Sequence, residues 1–440
     1  MITTLQRPQA VLAPTALVVV LAAAGAAVTV SPRLALLGPV ALAGAFALVR
    51  PDVCLLALLA LKPVLDYFVR HDAGGISIGQ AWGGALLLTA AIFVVTRPSD
   101  TPMLRGYRAP VAFLVAYPLL TFTRAHPGNS PINELRLASW LAVVLVVERL
   151  ASTPEGQRRV VRLGVVMALL LAGVIALLYE TNQYGRAYYT STSAFAQLDA
   201  MQPAGVSAFA VYCSALAIVP LIGGRRTLGP LLLYAALGAG VVLSLVRTSF
   251  FAFLLVFAGI LARGLYQRRG AIIATGVAVG LALVGAVVGY HDVISSRLVH
   301  ASGRVLFWRP VLDGTLAHPA SILVGHGPTF SFTVIQQALN ESIWSHNDFV
   351  DLFGTGGAVL LVAYVALVLW LARSALALMR DPEQSRRARD VGYVGLLVSG
   401  AYVVIAMFND AVFASSAVAV AVLFGLVRGM SQTPGRTWVD

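Results

Sequence analysis

The sequence predicts an all-α, polytopic transmembrane helix bundle of about 12–14 spans with one large extracytoplasmic loop, and three observations carry that prediction. Apolar runs long enough to cross about 30 Å of hydrocarbon recur along almost the whole chain. Only 11% of the 440 residues are charged and the mean hydropathy is +0.83, against roughly a quarter charged in soluble domains. The basic residues, 30 Arg and the single Lys62, are spread in small groups between the apolar runs, as membrane topology requires. That spread also argues against nucleic acid as a partner, despite a net charge of +12.

The runs fall near residues 11–30, 34–49, 52–68, 81–96, 109–122, 137–150, 160–179, 204–222, 228–246, 248–263, 271–290, 350–372, 391–408 and 411–428. The first, VLAPTALVVVLAAAGAAVTV, is longer than a signal-peptide core and a second apolar run follows at once, so it reads as a span. Lys62 and Asp66 sit at i, i+4 near the end of the third run, where Lys snorkelling to the interface is the simpler reading and a buried functional pair the alternative. Cys54 and Cys213 lie inside apolar runs and read as small hydrophobes. The stretch from 228 to 263 is too long for one span and has arginines at both ends, so it is a hairpin with VRTSF at its tip. Thr248 or Ser249 there would cap the second helix.

With the N-terminus inside and every run crossing, 21 arginines fall on the inner side and 9 on the outer. Positive charge inside therefore places both termini in the cytoplasm. All the segments with chemical character then share the outer face: 69–80, 123–136, 180–203, the 247–249 tip and 291–349. The 123–136 segment, with its prolines, reads as loop. The 180–203 segment is rich in Tyr and hydroxyls; Arg186 and Tyr189 fit a sugar-binding surface as well as an interfacial anchor. The chain divides into a transmembrane bundle with short outer loops (1–290), an extracytoplasmic loop that carries the chemistry (291–349) and C-terminal transmembrane helices (350–440).

Within that loop, Arg304 and Trp308 share one face of a short helix by their spacing. Gly325-His326-Gly327-Pro328 is a tight turn and a weak phosphate-loop signal. His346 and Asn347 come directly before a long apolar helix, at the lip of a rigid element where catalytic groups are best held. Asn409-Asp410 reads as a structural turn between spans.

The order of these motifs resembles the bacterial O-antigen ligase and O-antigen polymerase superfamily. The matching residues are the helix-tip Arg247 in VRTSFFAFLL, then S-G-R-x-x-x-W from Ser302 to Trp308, and H-P-x(5)-G-x-G-x(2)-F from His318 to Phe330. His346-Asn347 follows, ahead of G-x-G-G from Gly354 to Gly357. The resemblance covers the chain from Arg186 onward. It implies a type C glycosyltransferase that takes a glycan from an undecaprenyl diphosphate-linked donor, with a glycan or lipid acceptor, without nucleotide sugar, cofactor or metal.

Residue chemistry agrees with that expectation. Negative charge develops on a departing diphosphate, and arginine's planar fork suits its oxygens, so Arg247 and Arg304 are the candidate stabilising cations with Arg186 as a binding group. His346 would act as general base toward the acceptor hydroxyl or orient it. Tyr189, Trp308, Gly325, Gly327 and Asn347 are the further substrate-binding candidates. No His/Asp/Glu set stands at metal-ligand spacing. A one-step displacement would invert the anomeric centre. The rival reading is a lipid-linked glycan flippase or other polysaccharide transporter, which should place ionisable groups at mid-membrane depth; a scaffold subunit of a glycan-assembly complex is the third. Ligase and polymerase differ only in acceptor, which the sequence leaves open.

Overall fold

The computed structural model describes residues 47–67, 72–73, 76–96, 106–122, 132–181, 184, 203–222, 228–266, 280, 303–340, 345–409, 411–412, 414 and 416–432. Among these, fourteen α-helices form the protein: α1 Pro51–Tyr67, α2 Ile78–Thr96, α3 Arg108–Phe122, α4 Ile132–Ala151, α5 Pro154–Glu180, α6 Pro203–Ile222, α7 Leu228–Leu243, α8 Arg247–Tyr266, α9 Gly303–Leu316, α10 Pro319–Val324, α11 Phe330–Leu339, α12 Asp348–Arg380, α13 Arg386–Phe408 and α14 Ala417–Ser431. Two-residue strands, β1 Asp72–Ala73 and β2 Ile76–Ser77, pair antiparallel between α1 and α2. The runs at 11–30, 34–49 and 271–290 lie almost wholly outside the described residues.

The bundle is that of a polytopic membrane protein. Five helices, α5, α6, α8, α12 and α13, are long and apolar enough to cross a membrane, and four shorter apolar helices accompany them. Their outer surfaces are greasy: on α12, Val359, Val362 and Leu369 are exposed, Val362 by 65%, while Leu360, Tyr364, Leu367, Leu371, Ala375 and Leu378 face inward. In water such a stripe would be a liability; against lipid it is the expected exterior.

Helices start where the sequence supplies caps. The Thr153 hydroxyl accepts from the Gly156 amide with Pro154 opening α5, and Ser385 accepts from the Ala388 amide at the head of α13. Helices α4 and α14 cross closely, where a Cβ on Gly425 would lie 2.5 Å from Val147 and one on Gly429 2.6 Å from Ala151. Small residues four apart let two backbones approach in this way.

Three expectations are corrected. Residues 132–136, read as loop, form the first turn of α4, with Glu134 near the helix N-terminus, where a carboxylate is favoured. Lys62 does not snorkel: it is 5% exposed, ion-paired with a buried Asp66, and its ammonium stands 4.5 Å from the Trp82 ring centroid. Neither Thr248 nor Ser249 is the cap of α8, which already begins at Arg247; the Ser249 hydroxyl accepts from Ser207 of α6 at 2.8 Å. The 228–263 hairpin is present, turning through Ser244–Val246, with Leu245 at φ 57° and the Ser244 hydroxyl accepting from the Val246 amide.

Several arginines that counting assigns to the inner side reach neighbouring helix ends. Arg159 bonds Asp52, joining α5 to α1, and Arg149 donates to the Val94 carbonyl, joining α4 to α2. Arg263 bonds Asp390, joining α8 to α13, and Arg428 bonds Glu148, joining α14 to α4.

Candidate functional site

The site is built at the head of α12, where Ser345-His346-Asn347-Asp348 turns into the helix. The Asn347 side-chain oxygen accepts from the Phe349 and Val350 amides at 3.0 and 3.2 Å, a regular N-cap. Two residues earlier, the Ser345 hydroxyl accepts from the Asn347 amide at 3.2 Å, and the Ser345 carbonyl accepts from the Trp308 indole at 3.0 Å. Between these fixed points His346 has φ 55°, in the left-handed region that disfavours residues with a Cβ. Such a conformation costs on the order of 1–3 kcal/mol and persists only where the surroundings over-determine it.

This strain has a measurable consequence. His346→Gly and His346→Ala both delete the imidazole, yet Gly tolerates the backbone and Ala does not, so the Gly variant is expected to be the more stable by about 1 kcal/mol. Thermal melts in detergent test this; an Ala variant as stable as the Gly variant would contradict the strain.

Trp308 belongs to α9, and with Val311, Ile335 and Val350 at its centre a second, smaller core joins α9 and α11 to the head of α12. The stretch 303–339 is thus three short helices with their own packing. Phe330 stacks on His326, ring centroids 4.0 Å apart, and the His326 Nε2 lies 3.2 Å from the Gly314 carbonyl.

Gly325 and Gly357 meet across this assembly. Each ends a helical segment in nearly the same conformation, φ 64°, ψ −159° and φ 62°, ψ −158°, a region essentially reserved for glycine. A Cβ on Gly325 would lie 2.4 Å from the Thr355 backbone, and one on Gly357 2.4 Å from that of Leu323. The His326 and Gly327 amides donate to the Gly354 and Thr355 carbonyls at 2.9 Å. Gly325 and Gly327 therefore join two helix ends, with the His326 and Gly327 amides committed to carbonyls.

The break at Gly356-Gly357 does more than kink α12. The Tyr364 hydroxyl donates to the Asp348 carboxylate at 2.9 Å, and the Phe349 and Tyr364 rings lie 5.3 Å apart. In a straight helix sixteen residues span about 24 Å, beyond the reach of those side chains. The arm at 348–355 must therefore fold back over the shaft at 358–380, so the straight part of the helix expected at 350–372 begins only after Gly357.

Asp348, absent from the sequence-derived candidates, is 2% exposed and accepts on the same oxygen from Tyr364 and from the Ala411 and Val412 amides, at 3.0 and 2.9 Å. An acidic residue in a helix's first turn is so common that its type gives no signal; only the fold-back reveals its partners.

Arg247 opens α8, with Thr248 and Ser249 buried behind it. The α8 and α13 helices run antiparallel, with Arg263 bonded to Asp390, Gly259 against Leu397 and Leu255 against Gly400. Counting along that register brings Arg247 level with Phe408, whose ring lies 6.1 Å from that of Trp308. Arg247, Trp308 and the His346 turn thus belong to one end of the bundle. Arg304 lies in the first turn of α9, one turn before Trp308. Arg186 and Tyr189 lie outside the described residues, as does Asp410. Among the described residues no three His, Cys, Asp or Glu side chains gather as a metal site.

Fold and site define a polytopic helical membrane protein with a strained histidine at the head of a folded-back helix. Compared with known proteins, the chain matches no family model and no curated protein.

Proposed function

We propose that this chain is a membrane glycosyltransferase of the O-antigen ligase and polymerase type, moving a glycan from an undecaprenyl diphosphate-linked donor to an acceptor hydroxyl at the outer face of a bacterial cytoplasmic membrane. The observation that carries the reading is His346: a half-buried imidazole held at φ 55° by Trp308, Ser345 and the Asn347 cap. Strain of this kind collects at functional sites, where it is part of the mechanism. Arg247 opens α8 at the same end of the bundle, where its guanidinium and the partial positive charge of the helix N-terminus favour an anion.

In this reading, Arg247 and Arg304 take the negative charge that grows on the departing diphosphate, most strongly in the transition state. His346 receives the acceptor proton or orients the hydroxyl. Attack on the face opposite the leaving group inverts the anomeric centre. Both termini lie in the cytoplasm, membrane lipids surround the bundle, and the donor and its glycan or lipid acceptor are the partners.

The test is transfer by purified protein in detergent with an undecaprenyl diphosphate-linked oligosaccharide and EDTA present. Wild type is expected to transfer, and Arg247→Ala and His346→Ala to lose on the order of 100-fold or more while remaining folded. A ladder of products would indicate polymerase and a single addition ligase. Full activity in both variants would remove the site, and no transfer by wild type with several acceptors would favour lipid-linked glycan transport.

A further inference from the structure

We propose that Asp348 is a positioning residue for this transfer, a staple whose single carboxylate oxygen closes the fold-back of α12 and thereby sets where the His346 imidazole stands. The inference rests on the transferase reading. The Asp348 Oδ2 holds three partners from two places: the Tyr364 hydroxyl beyond the glycine break, and the amides of Ala411 and Val412 in the connection between α13 and α14. Tyr364 in turn lies 3.3 Å, hydroxyl to hydroxyl, from Tyr402 of α13.

Without the Asp348 hydrogen bond, the arm at 348–355 is joined to the shaft through Gly356 and Gly357, two residues with weak torsional preferences, and by the undirected packing of Phe349 on Tyr364. His346 and Asn347 precede the arm and move with it. The backbone pairing of His326 and Gly327 restrains the arm at its far end, by Gly354 and Thr355; Asp348 restrains it at the near end, two residues from His346. A carboxylate is suited to this, since one oxygen accepts several donors and charge-assisted bonds are about twice as strong as neutral ones. The same oxygen ties the 411–412 backbone to the site, so the turn that reads from sequence as a plain connection becomes a wall of the lip.

The closing experiment compares Asp348→Asn, Tyr364→Phe and Asp348→Ala in the full-length protein by two readouts. Hydrogen–deuterium exchange over 345–356 and 411–416 is expected to rise in all three, least in Tyr364→Phe and most in Asp348→Ala, with the α4–α14 crossing unchanged. In the oligosaccharide transfer assay, kcat is expected to fall in the same order, on the order of 100-fold for Asp348→Asn, with KM for the donor unchanged, as misplacement of a reacting group by about 1 Å predicts. Raised local exchange with wild-type kcat would overturn the positioning role and leave a structural staple. Unchanged exchange in Asp348→Ala would overturn the staple itself. Raised local exchange in a protein whose wild type transfers nothing would fault the transferase reading, and the positioning role with it, while the staple stands.

Discussion

Gly325→Ala and Gly357→Ala are each expected to prevent assembly of the folded protein. The added methyl carbon would sit 2.4 Å from backbone atoms of the facing segment, which cannot rotate away as a flexible side chain can. It would also force an L-residue into backbone angles near φ 63°, ψ −159° that only glycine adopts freely. The two penalties act together and exceed about 4 kcal/mol, a large share of the stability of most domains. The measurement is monodispersity and melting temperature in detergent. Gly84→Ala and Gly173→Ala serve as controls, since a Cβ at either meets nothing within 4 Å; both lie in helices, where Ala is the better former, so these variants should melt at or above wild type. A Gly325→Ala protein that melts with wild type would refute the crossing of the two helix ends.

Arg428→Leu is expected to lower stability by about 3 kcal/mol, the low end of the range seen when one partner of a buried ion pair is removed, because the Arg428 side chain keeps 17% of its surface exposed. The Arg428 guanidinium donates to both Glu148 oxygens, at 2.9 and 3.3 Å, and lies over the Tyr107 and Trp370 rings at 4.4 and 5.4 Å. Gln432 also donates to Glu148. One side chain thus links α4, α14, α12 and the residues just before α3. Leucine would forfeit both ring contacts and leave the Glu148 carboxylate with Gln432 but no cation from Arg428. The double variant Arg428→Leu with Glu148→Leu should recover a good part of the loss, because the stranded carboxylate goes with its partner. If the single and double variants melt alike, the pair contributes little and the aromatic contacts carry the site.

Much of the bundle is legible in the residues themselves. The α5 and α13 helices contain their apolar runs whole and stop at or next to the ends of those runs, because a membrane leaves the backbone few alternatives to helix once the side chains are apolar. The tip at Arg247 is equally plain, since an apolar stretch too long for one span must turn. The head of α12 is legible only in part. Asn347 announces a cap, but the φ of His346 depends on Trp308, 38 positions earlier in the chain, which no local pattern encodes. Gly325 stands in a motif that reads as a tight turn and Gly357 in a G-x-G-G near the start of an apolar helix, yet each is a glycine because of the other's neighbours.

By itself the sequence determined what must be buried in lipid and which polar residues are gathered between the apolar runs. These are additive properties of composition and period, and a linear string carries them. The tertiary structure alone decided that α12 folds back at Gly356-Gly357, that Asp348 joins Tyr364 to the 411–412 backbone, and that Lys62 is buried beside Trp82. Each depends on two or more segments meeting within hydrogen-bonding or van der Waals distance. Such distances are set by the packing of the whole bundle and not by the preferences of any residue in it.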